Sequence, residues 1–194
     1  MSSDAVMIYL VRHAEAGDKS AWRGVDNDRP LSAQGRREAA GLVIRLEDVR
    51  IDRVLSSPAL RCAQTVRPVA ARNWLPVEDC DLLDIGSDPA ELANFLHSHA
   101  ADFAVLCTHG EVLEQLFPML LAEGAVVTDP LVWPKGSTWI LRRSLGEPLR
   151  ASCIPPLAWP VAGDRPDDDF WRPPPASVPA RRPRRLRRAR RPNT

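Results

Sequence analysis

The hydrophobic pattern alternates between short apolar runs and longer segments of helical periodicity. Short runs rich in β-branched residues have the length of buried strands, and they predict strands at residues 5–11, 52–56, 103–107, 137–143 and 149–154. Apolar positions recur at helical spacing over about residues 33–47, 58–72, 89–99 and 111–122. Ser32, Ser57-Pro58 and Asp88-Pro89 are typical helix starts. Strands that alternate with helices predict a three-layer α/β/α domain with a mostly parallel central sheet.

This pattern ends after Ile154. Residues 155–194 hold ten of the 19 prolines, ten Arg and four Asp, and so carry a net charge of +6, while residues 1–154 carry −5. The composition predicts a folded domain over residues 1–154 and a disordered tail over residues 155–194. Three interpretations of the tail remain open. It could contact nucleic acid or an acidic partner, it could be out-of-frame coding, or it could be a solvated segment without function, which we favour.

Composition also limits the class of protein. No apolar run approaches the roughly 20 residues of a membrane span, and no secretory signal is visible. The cysteines are widely spaced and form no zinc-ligand pattern: Cys62, Cys80, Cys107 and Cys153. We therefore expect a cytoplasmic protein with reduced thiols, no bound metal and no membrane partner. Cys62 and Cys107 lie in apolar surroundings, and we expect both to be inert.

Polar side chains follow three of the predicted strands. Arg12 and His13 follow the first strand, Arg61 lies shortly after the second, and His109 follows the third. Because ligands in open α/β sheets bind beyond the carboxyl ends of the strands, we expect these four groups to meet there. Two guanidinium groups and two imidazoles form a cationic pocket that is costly unless an anion occupies it. Arginine matches phosphate oxygens with its planar fork, so the pattern predicts a phosphate site rather than a metal site.

Three segments resemble the motifs of the histidine phosphatase superfamily, which has the phosphoglycerate-mutase-like fold. They are LVRHAEAG (10–17), SSPALRCAQT (56–65) and CTHGEV (107–112), in the family's order. Ala14, where the family usually has Gly, and the segment Arg29-Pro30-Leu31-Ser32 resemble the SixA-type phosphohistidine phosphatase branch. The segment KGSTWIL (135–141) is similar to the phosphatase domain fused to some Nudix hydrolases. The resemblance covers roughly residues 5–154.

The resemblance implies a role for each of four residues. His13 would be the nucleophile and would carry the phosphoryl group as phosphohistidine. Arg12 and Arg61 would bind the phosphoryl oxygens, and His109 would contact the same group and stabilise the transition state. Neutral imidazole is a competent nucleophile, and cationic neighbours keep it neutral. We expect a backbone carbonyl to hold one of its nitrogens. No metal or organic cofactor is needed.

The general acid is open at this stage. Asp84, in the segment DLLDIG, is the best match to the family's acid, Glu15 is a local alternative, and Glu111 better suits a helix start. SixA-type enzymes resemble this chain in lacking an obvious strong acid, which suits a phosphoramidate because it leaves more easily than an alkoxide. Lys19 and Arg23, in the long loop after the nucleophile, are candidates for substrate contacts.

These observations predict a phosphatase that acts on a phosphohistidine or a small phosphomonoester through a phosphohistidine on His13. The expected partner is thus a phosphorylated protein or a phosphorylated small molecule. One alternative is a phosphatase of nucleotides or other small metabolites. The alternative of another class is a non-catalytic module that binds a phosphorylated ligand, against which the presence of both His13 and His109 argues.

Overall fold

The computed structural model describes residues 5–157. In that part of the chain, four α-helices surround one seven-stranded sheet. The strands are β1 (Val6–Arg12), β2 (Arg53–Ser56), β3 (Val77–Asp79), β4 (Ala104–Thr108), β5 (Val126–Val127), β6 (Thr138–Arg143) and β7 (Arg150–Ile154). The helices are α1 (Ala33–Arg45), α2 (Leu60–Asn73), α3 (Pro89–His97) and α4 (Gly110–Ala122).

The sheet has the strand order β3-β2-β4-β1-β6-β7-β5. Four of its six pairings are parallel, and β6 runs antiparallel to both β1 and β7. The predicted α/β class and the mostly parallel sheet are therefore confirmed.

Both faces of the sheet are covered, which explains why β1 is apolar at successive positions. Ile8 and Leu10 point into a core with side chains of α3 and α4. Tyr9 and Val11 point the other way, into a core with side chains of α1 and α2. Because successive strand residues alternate between faces, a strand buried on both sides must be apolar throughout. The result is the predicted three-layer arrangement.

Most predicted helix starts are confirmed, but α2 begins later than the sequence suggests. The Ser32 hydroxyl caps α1 by accepting from the Gly35 amide at 3.1 Å, and Asp88 caps α3 in front of Pro89. Helix α2 begins at Leu60 with Ala59 as its cap, so the predicted start at Ser57-Pro58 is wrong. The hydroxyl of Ser57 is engaged elsewhere, at the site described below. The pattern also missed β3 and β5, which are too short to show a periodicity.

The folded chain continues past the predicted domain boundary at residue 154. The Leu157 carbonyl oxygen lies 1.6 Å from where a Cβ on Gly41 would stand, so the chain after β7 packs directly on α1. The remainder of the predicted tail, residues 158–194, lies outside the described residues. Within residues 5–157, no helix is long and apolar enough to cross a membrane.

Candidate active site

The sheet register brings the three predicted motifs to one edge. Arg12, at the end of β1, pairs with Thr108, at the end of β4. Cys107 of β4 pairs in turn with Ser56 at the end of β2. The residues that follow these ends therefore become neighbours, and the rings of His13 and His109 meet edge to face with their centroids 5.4 Å apart.

His13 is buried and held in one tautomer. Its Nδ1 lies 2.8 Å from the carbonyl oxygen of Ala14, which can only accept, so Nδ1 carries the proton and Nε2 keeps its lone pair. This is the backbone carbonyl that the sequence argument expected. Burial lowers the pKa of His13 to about 3, helped by the charges of His109, Arg61 and Arg12 and opposed by the bond to Ala14. The ring is thus neutral across the physiological range.

The two arginines reach the same cavity from different elements. Arg12 donates to the carbonyl oxygen of Trp133. Arg61, in the first turn of α2, is only 2% exposed and donates through Nη1 to the carbonyl oxygen of Asp26 at 2.7 Å. Its Nη2 also lies 3.1 Å from Asp26 Oδ2. The Nε atom of each arginine is buried without an acceptor among residues 5–157. A tetrahedral oxyanion would supply such acceptors.

His109 is fully buried and contacts a different partner through each ring nitrogen. Its Nε2 lies 2.9 Å from Ser57 Oγ and 3.5 Å from Asp84 Oδ1. Ser57 in turn donates to Asp84 Oδ1 at 2.9 Å. The Nδ1 atom lies 3.3 Å from Arg61 Nη2. His109 is therefore linked to Arg61 on one side and to the carboxylate of Asp84 on the other.

Two cysteines, Cys62 and Cys107, lie near His109. The Cys62 sulfur is 3.6 Å from His109 Nε2. Burial opposes ionisation of this thiol, but hydrogen bonds with Cys107 and His109 and the charges of His109 and Arg61 outweigh it and lower the pKa of Cys62 to about 6. Complete burial and the contact with Cys62 raise the pKa of Cys107. Cys62 therefore lies against His109, and the expectation that both thiols are inert stays a prediction.

These groups open onto a cavity of about 270 Å³. Its lining is strongly charged and consists of Arg12, His13, Gly17, Asp18, Lys19, Asp26, Arg29, Arg61, Ile85, His109, Glu111 and Lys135. Of the two substrate-loop candidates, Lys19 lines the cavity, whereas Arg23 is exposed and lies outside the lining. No cluster of His, Cys, Asp and Glu that could hold a metal ion occurs within residues 5–157.

Neither of the two candidate acids, Asp84 and Glu15, is among the residues that line this cavity. Asp84 is tied to Ser57, as described above. The Glu15 carboxylate accepts from the Gly17 amide at 2.9 Å and pairs with Lys135 at 3.2 Å. Its contacts with Ser32, Gly17 and Lys135 lower the pKa of Glu15 despite partial burial. Glu111, which the sequence argument gave a helix-start role, does line the cavity.

Sequence reasoning missed the roles of Asp26 and Ser57. Ser57 was visible within the SSPALR segment but was interpreted as a helix cap, and its distance from His109 along the chain hid their contact. Asp26 stands in an irregular loop, where no periodic pattern indicates which side chain turns inward. Its pairing with Arg61 depends on a short 3₁₀ turn over Asp26–Asp28.

A family profile and a protein of known activity both match this chain in sequence. The profile of the histidine phosphatase superfamily (branch 1) matches residues 8–84. The 8-oxo-(d)GTP phosphatase of Mycolicibacterium smegmatis is 29% identical to this chain over 159 residues. That alignment covers 79% of this chain and 49% of the relative, so the chain spans about half the length of this curated protein.

Solved structures share the fold. The putative phosphohistidine phosphatase SixA from Agrobacterium tumefaciens aligns with a TM-score of 0.58 and 24% identity, over 78% of this chain and 99% of its own. The protein histidine phosphatase SixA complexed with tungstate aligns with a TM-score of 0.54 and 24% identity, over 70% of this chain and 86% of its own. At this level of identity the likeness establishes the architecture, which is that of the SixA structures.

Proposed function

We propose that this chain, whose residues 8–84 match the profile of branch 1 of the histidine phosphatase superfamily, is a phosphatase that works through a phosphohistidine on His13. The observation that carries the proposal is the tautomer of His13. Its Nδ1 proton is committed to the Ala14 carbonyl, and the ring stays neutral at physiological pH. The Nε2 lone pair is therefore available for attack on phosphorus.

The reaction takes two steps. In the first, His13 Nε2 forms a bond to phosphorus, and the bond from phosphorus to the leaving group breaks with its electron pair going to the leaving group, which takes up a proton. In the second, water attacks the phosphohistidine, the P–N bond breaks, and inorganic phosphate is released with the water's second proton lost to solvent. Phosphoryl transfer of this kind depends mainly on positioning and charge neutralisation.

Arg12, Arg61 and His109 are the groups proposed to hold the phosphoryl oxygens. Both guanidinium groups line the cavity and keep a buried Nε without an acceptor in the described part of the chain. The ring of His109 lies beside that of His13. Preorganised donors of this kind stabilise the charge that develops on the transferred group.

We favour a phosphohistidine or another phosphoryl group with a good leaving group as the substrate. Of the three carboxylates considered as acids, Asp84 and Glu15 are bound to other groups and stand outside the cavity lining, which leaves Glu111 as the one that could reach a leaving group directly. A phosphoramidate needs less help from such an acid than an alkyl ester. Nucleotides are the second candidate, because the M. smegmatis relative is named for a nucleotide and Lys19 and Lys135 add positive charge around the cavity.

The central test is replacement of the nucleophile. Wild-type protein should hydrolyse a chromogenic aryl phosphate, and rapid acid-free quenching should trap a phosphoryl group on His13. His13→Ala should lose turnover by at least about 10³-fold, because no other group forms the covalent intermediate. The matched control is His97→Ala, which removes a half-exposed histidine at the end of α3 and should retain full activity.

Two outcomes would count against the proposal. Equal turnover by His13→Ala and wild type would remove His13 from the chemistry. Binding of phosphate without turnover by either protein would indicate a non-catalytic module instead. The substrate class is tested separately, by comparing kcat/KM for phosphohistidine proteins, nucleoside phosphates and sugar phosphates.

A further inference from the structure

We propose that Asp84 is a positioning residue that acts through Ser57 on His109, rather than an acid that protonates the leaving group. The inference deepens the proposed function and rests on it. Asp84 would orient His109 and favour its uptake of a second proton when a phosphoryl group enters the cavity. The resulting imidazolium would donate a hydrogen bond from each ring nitrogen.

Proton accounting fixes the direction of the hydrogen bonds. The Ser57 hydroxyl has a single proton, which it donates to Asp84 Oδ1 at 2.9 Å. Ser57 Oγ must therefore accept from its other partner, His109 Nε2, also at 2.9 Å. Asp84 Oδ1 lies a further 3.5 Å from the same nitrogen. Nε2 thus carries a proton, and Asp84 is placed to balance the positive charge that the ring gains if Nδ1 is protonated as well.

The opposite nitrogen faces the anion-binding side of the ring. His109 Nδ1 lies 3.3 Å from Arg61 Nη2, and a guanidinium can only donate, so Nδ1 presents a lone pair in this contact. Phosphoryl oxygens can only accept. His109 can therefore donate to one through Nδ1 only after it takes up a second proton from solvent. Arg61 Nη2 would then turn to the phosphoryl oxygens.

The imidazolium needs a nearby negative charge, because the guanidinium of Arg61 beside it is already cationic. His13 stands edge to face with the ring, and Arg61 contacts it directly. Asp84 is the carboxylate within 4 Å of His109 among residues 5–157. The remaining titratable groups around the ring come from the elements packed against it, and they are Arg12 of β1, Cys62 of α2, Cys107 of β4 and Glu111 of α4. Of these, the Cys62 sulfur also contacts Nε2, and as a thiolate it would support the same charge.

The backbone fixes Asp84 in this role. Thr108, which immediately precedes His109, donates through its hydroxyl to the Leu83 carbonyl oxygen at 2.7 Å. The segment that carries Asp84 is thereby tied to the end of β4. The Asp84 side chain is about one-third exposed and approaches His109 from the side away from Arg61. A residue placed in this way can orient and charge His109 without touching the leaving group.

The test compares Asp84→Asn with wild type on a series of aryl and alkyl phosphates whose leaving groups differ in basicity. A positioning role predicts a fall in kcat/KM of about 100-fold, by the same factor for every leaving group. Calorimetry with inorganic phosphate, in buffers of different ionisation enthalpy, should show about one proton taken up by the wild type. The variant should take up almost none, because its His109 stays neutral.

Two further variants sharpen the experiment. Ser57→Ala should reproduce both effects, and the double variant should be little worse than either single one, because the two residues act as a unit. Asp81→Asn is the matched control, since Asp81 begins the 3₁₀ turn Asp81–Leu83 that Asp84 caps, lies exposed and should behave as wild type. If Asp84→Asn does not fold, Ser57→Ala carries the same measurements.

A loss of activity that grows with the basicity of the leaving group would overturn the proposal and assign Asp84 as the general acid. Unchanged proton uptake in Asp84→Asn would overturn it as well. Failure of the proposed function has a different signature: the wild type would then show neither turnover nor phosphohistidine. The proton-uptake measurement with inorganic phosphate would still test the link between Asp84 and His109.

Discussion

The two histidines of the site have different hydrogen-bond partners, and these partners suit them to different roles. His13 and His109 are both buried, yet only His13 has a nitrogen fixed by a backbone carbonyl. His109 instead faces Ser57, a hydroxyl that can both donate and accept. The ring of His13 is therefore kept neutral, as the proposed attack on phosphorus requires, while His109 is the ring proposed to gain a proton when a phosphoryl group binds.

The low pKa of His13 should appear in the pH dependence of stability. The native pKa is about 3, whereas an unfolded histidine titrates near 6.5, so the unfolded state binds an extra proton between these values. Wild-type stability should therefore fall as pH drops below about 6.5, by up to about 1.4 kcal/mol per pH unit from this group. His13→Asn should show a shallower fall over that window and an unchanged dependence above it.

Urea unfolding at several pH values between 4.5 and 8 measures this difference. His97→Asn is the control for the loss of a histidine outside the site, because its side chain is 45% exposed at the end of α3. Parallel curves for wild type and His13→Asn would mean that His13 is charged in the native state.

At the scale of elements, the site depends on strand ends that meet helix starts. Helix α4 begins directly at the motif, with His109 as its cap and Gly110 as its first residue. A Cβ on Gly110 would stand 2.9 Å from Arg12 Cζ. Glycine at this position therefore lets the helix pack against the guanidinium at the end of β1.

Gly110→Ala should displace the Arg12 guanidinium without unfolding the protein. We expect kcat/KM to fall by about 10- to 100-fold, because a small misplacement of a binding group is costly in catalysis. The control is Gln115→Ala, an exposed position of the same helix. Aryl phosphate kinetics and thermal unfolding check the result, and wild-type kinetics in Gly110→Ala would show that Arg12 does not need this contact.

At the scale of the whole molecule, the strongly basic segment of the sequence and the residues proposed for the chemistry lie in different parts of the chain. Residues 1–154 carry a net charge of −5 and residues 155–194 carry +6, yet the proposed chemistry depends on a few cationic groups at one edge of the sheet. Among residues 5–157, the cavity lining spans residues 12–135. Because the groups proposed for the chemistry all lie in that range, we predict that catalysis is independent of residues 158–194.

Truncation tests this separation. A chain that ends after Leu157 should keep the kcat/KM and the unfolding free energy of the full chain. A chain that ends after Ile154 should lose about 1 kcal/mol of stability, because it removes the segment that packs on Gly41. Urea unfolding and aryl phosphate kinetics decide between these outcomes. A large loss of kcat/KM in the longer truncation would assign residues 158–194 to the site.

The sequence by itself determined the α/β class, the main strands and helices, and the strand-end residues Arg12, His13 and His109. These features are local, since they depend on the spacing of buried positions, on helix caps and on short motifs, all of which involve residues close together in the sequence. The later start of α2 was missed because the local preference of Ser57 for a cap competes with its bonds to Asp84 and His109.

Only the tertiary structure decided how the charged groups pair. The contacts of Arg61 with Asp26, of His109 with Ser57 and of Asp84 with both Ser57 and His109 each join residues at least 25 positions apart along the chain. No periodic pattern encodes them, because each depends on where an irregular segment lies once the sheet has assembled. The motifs indicated which groups meet at the edge of the sheet. The conformation of the loops determines which hydrogen-bond partner each group has and which ring nitrogen of each histidine carries a proton.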